Sequence, residues 1–268
     1  MDYEDRLIIY IDILGFSKFV EYTSHTKVNS SGKIKKIDDF LSLIREYFGN
    51  ESNNLLFSKS RQATSFSDLI VISISVDDIN NMDFEIGEVY NLLMNSAYRG
   101  FLLRGAISYG KIIHTKEVIF GPEFTDIYNK ERTIAKYPRV IIDDVVYADL
   151  KDIQENAKAR SFYNEYISRD SDDLYYIDLL KELRENTDNF WEYAQILNSY
   201  CNILLEMMDN PSLQEKYIWL RNKFVTHINK YADVIGHVFS DENITKDDIE
   251  TLKMMLYEFN DPSYKDKI

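Results

Sequence analysis

A single cysteine, Cys201, in 268 residues excludes an intramolecular disulfide and any metal centre built on cysteine spacing. Histidine is almost as scarce. His25, His114, His227 and His237 are scattered, no His-x-x-x-His pair exists, and each reads as a surface or satisfied core residue. No apolar run approaches the length of a membrane span. The opening Met-Asp-Tyr-Glu-Asp lacks the basic stretch and apolar stretch of a secretory leader. Positive charge is also in deficit: 31 Lys and Arg against 45 Asp and Glu leave a net charge of −14. Long-range electrostatics therefore disfavour nucleic acid and anionic lipid as partners, although a small anion can bind where a metal ion neutralises it. The expectation is a reduced, cytoplasmic globular protein with no nucleic-acid or membrane partner. Its 20 tyrosines are spread along the whole chain and carry no functional signal.

What is present is concentrated early. In RLIIYIDILGF (Arg6–Phe16) the run Leu7-Ile8-Ile9-Tyr10-Ile11 leads straight into Asp12, and Gly15 then turns the chain. A continuous apolar run ended by glycine reads as a strand buried on both faces. An unpaired carboxylate inside it would cost several kcal/mol, so Asp12 needs a strong partner or a place at the strand's end. A second aspartate repeats the pattern in Phe66-Ser67-Asp68-Leu69-Ile70-Val71-Ile72.

The intervening periodicities give an order of elements. Residues 16–23 and 34–48 read as helix, the latter with Ile37, Phe40, Leu41, Ile44 and Phe48 on one stripe, and residues 24–33 as loop. Residues 55–63 read as a short strand leading to a tip at 65–68, and Leu69–Val76 as a β-branched strand. Asp83 reads as the cap of a helix over 84–99, closed by Gly100. Residues 101–109 and 111–114 read as a strand pair bending at Gly105 or Gly110, and 117–120 as another strand. Gly121-Pro122 opens a helix to about Lys136, Pro138 stops it, and Val140–Ile142 is a core strand. This β-α-β-β-α-β-β-α-β order predicts an α/β (α+β), ferredoxin-like mixed sheet over residues 1–146. Residues 147–268 read as a mainly helical extension packed on that core, with a strand at Leu174–Leu179, helices at 190–208 and 212–231, and a last one capped by Thr245. The stripes around Trp191 and Trp219 read as core, and Cys201 as a buried, inert thiol.

Two carboxylates at the ends of neighbouring strands can face one cleft. With a backbone carbonyl and open positions for phosphate oxygens they make an ordinary Mg²⁺ environment, and two such ions can activate a hydroxyl and stabilise a leaving pyrophosphate. The alternative from spacing alone is that Asp12 or Asp68 caps a turn or pairs with Arg104 or Lys111.

Four segments, YIDILGF, SFSDLIVIS, RGAISYGKIIH and FGPEFTDIYNKERTIAKYPRVIID, resemble in their order the blocks of the class III nucleotidyl cyclase catalytic domain over residues 5–145. A group of bacterial cyclase-like proteins is also similar, extending through KYIWLRNKF, and pyrimidine cyclases of antiphage defence are a variant of the family. The resemblance implies metal binding (Mg²⁺ or Mn²⁺) by Asp12 and Asp68 with the carbonyl of Ile13. It implies a triphosphate wrapped by Gly15 and Phe16 at a helix N-terminus, an Arg-x-Gly strand at Arg104 and Gly105, and a nucleotide-binding tip that includes Ser67. It also implies a homodimer with sites shared between subunits, acting on a nucleoside triphosphate. Two departures stand out. The family's Asn and transition-state Arg on the helix after Phe-Gly correspond to Thr125 and Asn129, leaving Lys130, Arg132 or Arg139 to supply the charge, from the same or a second subunit. The purine-reading Lys corresponds to Thr64, which speaks against purine reading in the family's usual way and leaves a pyrimidine triphosphate open, with Thr64 and Ser65 as small polar residues able to read a smaller base. The reaction so implied is closure of a nucleoside triphosphate to a 3′,5′-cyclic nucleotide and pyrophosphate, with Thr125 and Arg132 as the residues nearest the expected catalytic pair. A catalytically silent nucleotide- or partner-binding module is the competing expectation.

Overall fold

The computed structural model describes residues 2–25, 30–48, 59–79, 82–157, 165–183, 185–187 and 189–231. The chain divides into two compact units: residues 1–96 with 101–178, and residues 97–100 with 179–268.

The first unit is built on one mixed sheet. Its strands are β1 (Glu4–Ile13), β2 (Gln62–Phe66), β3 (Leu69–Ser75), β4 (Leu103–His114), β6 (Val140–Ile142), β7 (Ile167–Arg169) and β8 (Tyr175–Ile177), in the spatial order β2-β3-β1-β4-β6-β8-β7, with β5 (Ile119–Phe120) paired to β4. Helices α1 (Phe16–His25) and α2 (Ser30–Phe48) connect β1 to β2, and α3 (Met82–Tyr98) connects β3 to β4. The β2-β3-β1-β4 part is antiparallel throughout and has the ferredoxin-like β-α-β-β-α-β path. Helix α4 (Pro122–Thr133) then carries the chain across to β6, which runs parallel to β4 as a helical crossover requires. Helix α5 (Asp144–Ala157) follows, and β7 and β8 extend the sheet in antiparallel pairing.

The long apolar run explains why β1 is central. Leu7 to Ile11 are at most 4% exposed, with β3 on one side and β4 on the other. Alternation puts Leu7, Ile9, Ile11 and Ile13 on one face and Arg6, Ile8, Tyr10 and Asp12 on the other. Burying each such aliphatic side chain contributes about 1.5–3 kcal/mol, so a one-residue slip of β1 would be prohibitive. Gly105, opposite Ile11, is required by close approach, because a Cβ there would collide with the carbonyl oxygen of Tyr10. Helix α4 covers the Tyr10 face: Tyr10 packs on Phe124 and Tyr128 at 6.1 and 6.3 Å, and Ser108 donates to Glu123 at 2.8 Å.

Several local expectations are corrected. Residues 103–114 form one continuous strand, not two that bend at Gly105 or Gly110, since both glycines keep their partners in the β1–β4 ladder. Asp83 lies inside α3, which begins at Met82. The strand before the tip is residues 62–66; positions 55–58 of the expected strand lie outside the described residues, as does the helix expected after Thr245. Residues 167–169, within the extension read as mainly helical, are a strand, because β8 offers them a partner that no local signal announces.

In the second unit, Asn189 caps α6 (Phe190–Met208) by accepting from the Glu192 N–H at 3.0 Å, and α7 (Gln214–Tyr231) follows a short 3-10 turn at Pro211–Leu213. Tyr193, Ile196, Leu197, Tyr200 and Leu204 are buried on α6, as are Leu220, Phe224 and Ile228 on α7, with Tyr200 and Phe224 stacked at 5.9 Å. Cys201 is buried in this stripe as expected. Trp191 is not: it is 49% exposed. Among the described residues no helix is long and apolar enough to cross a membrane.

Candidate functional site

The end of β1 and the β2–β3 tip meet. Asp12 is in register with Leu69 of β3 and Arg104 of β4, and the Ile13 N–H donates to the Asp68 carbonyl at 3.2 Å. That bond ties the tip to the strand end. The carboxyl groups of Asp12 and Asp68 come within hydrogen-bonding reach, and this closeness helps to hold the Asp12 pKa above its ordinary value. Burial is the largest cause of the rise, and the Arg104 guanidinium opposes it. The tip is a tight turn in which Ser67 has φ 56°, a left-handed conformation that a non-glycine residue adopts at some cost.

Arg104 is the cation of the site. Its Nε donates to Asp12 Oδ2 at 3.2 Å and is also paired with the carboxylate of Glu131 on α4. Asp12 and Arg104 side chains are both 20% exposed, whereas that of Glu131 is 3% exposed. The Tyr10 hydroxyl lies in the same field: burial, then Glu131, Asp12, Tyr128 and Asp68, push its pKa upward. Two carboxylates, Asp12 and Glu131, thus meet the Arg104 guanidinium, and Asp68 adjoins Asp12. Two carboxylates this close repel each other, and a divalent cation held between them would offset that repulsion. The donor set fits a hard, oxygen-preferring ion such as Mg²⁺ or Mn²⁺. Among the described residues no group of three or more His, Cys, Asp or Glu forms a larger metal cluster, so a cation here rests on the Asp12–Asp68 pair.

Directly after β1, Gly15 (φ 78°) turns the chain into α1, whose first residue Phe16 is 8% exposed and buried against the core. The N-terminal N–H groups of α1 therefore open close in sequence to Asp12, and such groups favour anions.

Asp12, Ile13, Asp68 and Arg104 are thus brought together, with Gly15, Phe16 and Ser67 adjacent to them in the chain. The Asp12–Arg104 pair anticipated from spacing is present, whereas Lys111 is exposed and sits opposite Asp5 at the other end of β4. Thr64 belongs to a different network. Its Oγ1 is 2.9 Å from His114 Nε2, His114 Nδ1 is 2.8 Å from Ser73 Oγ, and the buried Arg6 donates to Ser73 Oγ at 2.8 Å. Burial, and then Arg6, bring the His114 pKa down to about 4, so the ring is neutral here.

The cations expected on or after α4 are differently disposed. Thr125 and Asn129 are exposed, and Thr125 Oγ1 donates to the Gly121 carbonyl at 3.5 Å. Lys130 pairs with Asp143 at 2.6 Å and lies 3.6 Å from Glu123. Arg139 is 1% exposed and clamped to Asp170 and Asp172. Arg132 remains on the surface, donating to the Tyr128 hydroxyl at 2.9 Å with its guanidinium 5.4 Å from that ring's centre. Sequence reasoning missed Glu131 and Tyr10. The signal for Glu131 was helical spacing, since it falls four residues after buried Ile127, on the inward face of α4.

No family model matches this sequence, and no curated protein matches it. Two solved guanylyl cyclase structures are similar to the chain. One is the monomeric guanylyl cyclase domain of the RhoGC fusion protein from the aquatic fungus Blastocladiella emersonii, at 11% identity over 66% of this chain and 96% of that one, with a TM-score of 0.42. The other is the catalytic core of a rhodopsin-guanylyl cyclase with converted specificity in complex with ATPαS, at 10% identity over 66% and 97%, with a TM-score of 0.38.

Proposed function

We propose that this chain binds a nucleoside triphosphate through a divalent cation and closes it to a 3′,5′-cyclic nucleotide and pyrophosphate. The observation that carries the reading is the meeting of the Asp12 and Asp68 carboxyl groups at a strand end that turns at once into the N-terminus of α1. The four motif blocks in cyclase order support it from the sequence.

Asp12 and Asp68, with the Ile13 carbonyl, would hold Mg²⁺ or Mn²⁺. A bound ion supplies charge neutralisation of the phosphates and polarises the ribose 3′-hydroxyl. The N–H groups at the start of α1 donate to phosphate oxygens. Among the described residues the two terminal nitrogens of Arg104 make no hydrogen bond, so the guanidinium presents them to an anion while its Nε is held. In the reaction the 3′-oxygen bonds to the α-phosphorus, the bond to the bridging oxygen breaks, pyrophosphate leaves with its electron pair, and the hydroxyl proton passes to solvent. A homodimer in which Arg132 of one subunit reaches the other's site would replace the charge that Asn129 cannot supply, because Lys130 and Arg139 are engaged within their own subunit. Thr64, with its hydroxyl held by His114, fits selection of a smaller base.

A second reading, a binding module without turnover, is favoured by the exposed Thr125 and Asn129 and by the absence of a charge at either position. Incubation with ATP, GTP, CTP or UTP and Mn²⁺, followed by mass spectrometry, separates the two. A cyclic product from one nucleotide, lost in Asp68→Ala, is expected. Nucleotide binding with no product selects the binding module, and no Mn²⁺-dependent binding at all removes the metal reading.

A further inference from the structure

We propose that Glu131 is a positioning residue of this site: it keeps the Arg104 guanidinium in place for an anionic ligand once Asp12 is given to a cation. The inference rests on the reading of Asp12 and Asp68 as cation ligands.

Arg104 Nε donates its one proton to Asp12 Oδ2 at 3.2 Å, while Glu131 Oε1 lies against the same nitrogen as an ion-pair partner that does not receive that proton. A divalent ion on Asp12 draws that carboxylate's charge away and adds a like charge near the guanidinium, which weakens the Asp12–Arg104 pair. Arg104 then needs another anchor. Without one, a long side chain 20% exposed would lose its fixed direction, and the entropy of fixing it again would count against every ligand it met. Glu131 supplies the anchor because it is buried and rigidly based on α4, with Ile127 one turn before it packed against the core. Binding through Nε leaves the two terminal nitrogens aimed elsewhere, and among the described residues neither of them makes a hydrogen bond. Bidentate capture of a phosphate oxygen pair needs that end of the fork. A carboxylate at a phosphate site is otherwise a liability, since its charge repels the ligand; its presence is explained by what it does to the arginine.

That opposition supplies the test. Affinity for inorganic triphosphate in saturating Mn²⁺ is measured by titration calorimetry on the full chain, and Mn²⁺ affinity alone is measured by the resonance signal of the free ion. If Glu131 acted only as a nearby charge, Glu131→Gln would bind triphosphate more tightly. Positioning predicts the reverse: a loss of about tenfold, the worth of one buried ion-pair contact that fixes the arginine. Arg104→Gln should lose about as much, and Glu131→Gln with Arg104→Gln should lose no more than Arg104→Gln alone. Glu131→Asp, which keeps the charge but shortens the reach, should also weaken binding and guards against misreading a folding defect in the glutamine variant. Unchanged or tighter binding in Glu131→Gln, or losses that add in the double variant, overturns the inference. If Asp12→Asn leaves Mn²⁺ affinity unchanged, the cation reading itself fails, and the inference falls with it.

Discussion

Replacing Arg139 by Met should destabilise the first unit severely. The guanidinium side chain is fully buried and paired with Asp170, whose side chain is 5% exposed, and with Asp172, whose side chain is 41% exposed. It also lies 5.2 and 5.6 Å from the ring centres of Tyr137 and Tyr176. Methionine fills much of the volume but takes the ion-pair partner from the buried Asp170 carboxylate. Removing one partner of such a pair costs about 3–5 kcal/mol. The Asp172 share is discounted because that carboxylate reaches water. At an m-value of about 2 kcal/mol/M this lowers the urea midpoint by roughly 2 M. Far-UV circular dichroism follows the loss of the sheet, and emission from Trp191 and Trp219, both in the second unit, gives a separate signal. Adding Asp170→Asn should recover at least about 1 kcal/mol, because the stranded charge is then gone. A cost below about 1 kcal/mol for Arg139→Met, or no recovery in the double variant, would refute the structural role and return Arg139 to the set of cations open to a ligand.

Other expectations follow from the same contacts. Nucleotide turnover, if present, should vanish in Asp68→Ala and be read directly as loss of cyclic product, while the triphosphate affinities of the Glu131 variants separate positioning from bare charge. Gly105→Ala should cost at least ~2 kcal/mol, since the new methyl meets the fixed carbonyl of Tyr10 and not a side chain that can move; a melting temperature equal to that of the parent would contradict this register. His227 accepts or donates at 2.8 Å with the Tyr193 hydroxyl, and burial lowers its pKa from 6.5 to about 4. The folded state therefore keeps the ring neutral where the unfolded chain binds a proton, so its contribution is complete above pH 6.5 and is lost as pH falls toward 4, by about 3 kcal/mol. His227→Gln should flatten this fall in urea titrations read by tryptophan emission; an equally steep fall would assign it to other groups.

Much of this protein could be read from residue order alone. Leu7 to Ile11 are apolar without alternation, which only a strand covered on both faces tolerates, and β1 is that strand. Asp12 and Asp68 stand out because a charge beside such a run must be answered by something. The amphipathic stripes of the helices are equally local, and Cys201 is where its stripe places it. The order of strands and helices up to residue 142 restricts the sheet to a few topologies, and the ferredoxin-like one is found.

Other features depend on contacts between residues far apart in the chain. Residues 167–169 are a strand only because β8 is there to pair with them, and residues 103–114 stay straight through two glycines because β1 holds the ladder. Arg139 and Arg132 look alike as sequence, but one is sealed against Asp170 while the other faces solvent with Tyr128. Glu131 is one more charge on a polar helix until α4 lies across β4 and Arg104 is found beneath it. Periodicity tells which way a side chain points along its own element. It does not tell what waits on the element opposite, and the partners of a buried charge are set there, by a cost of burial that only the folded chain can offset.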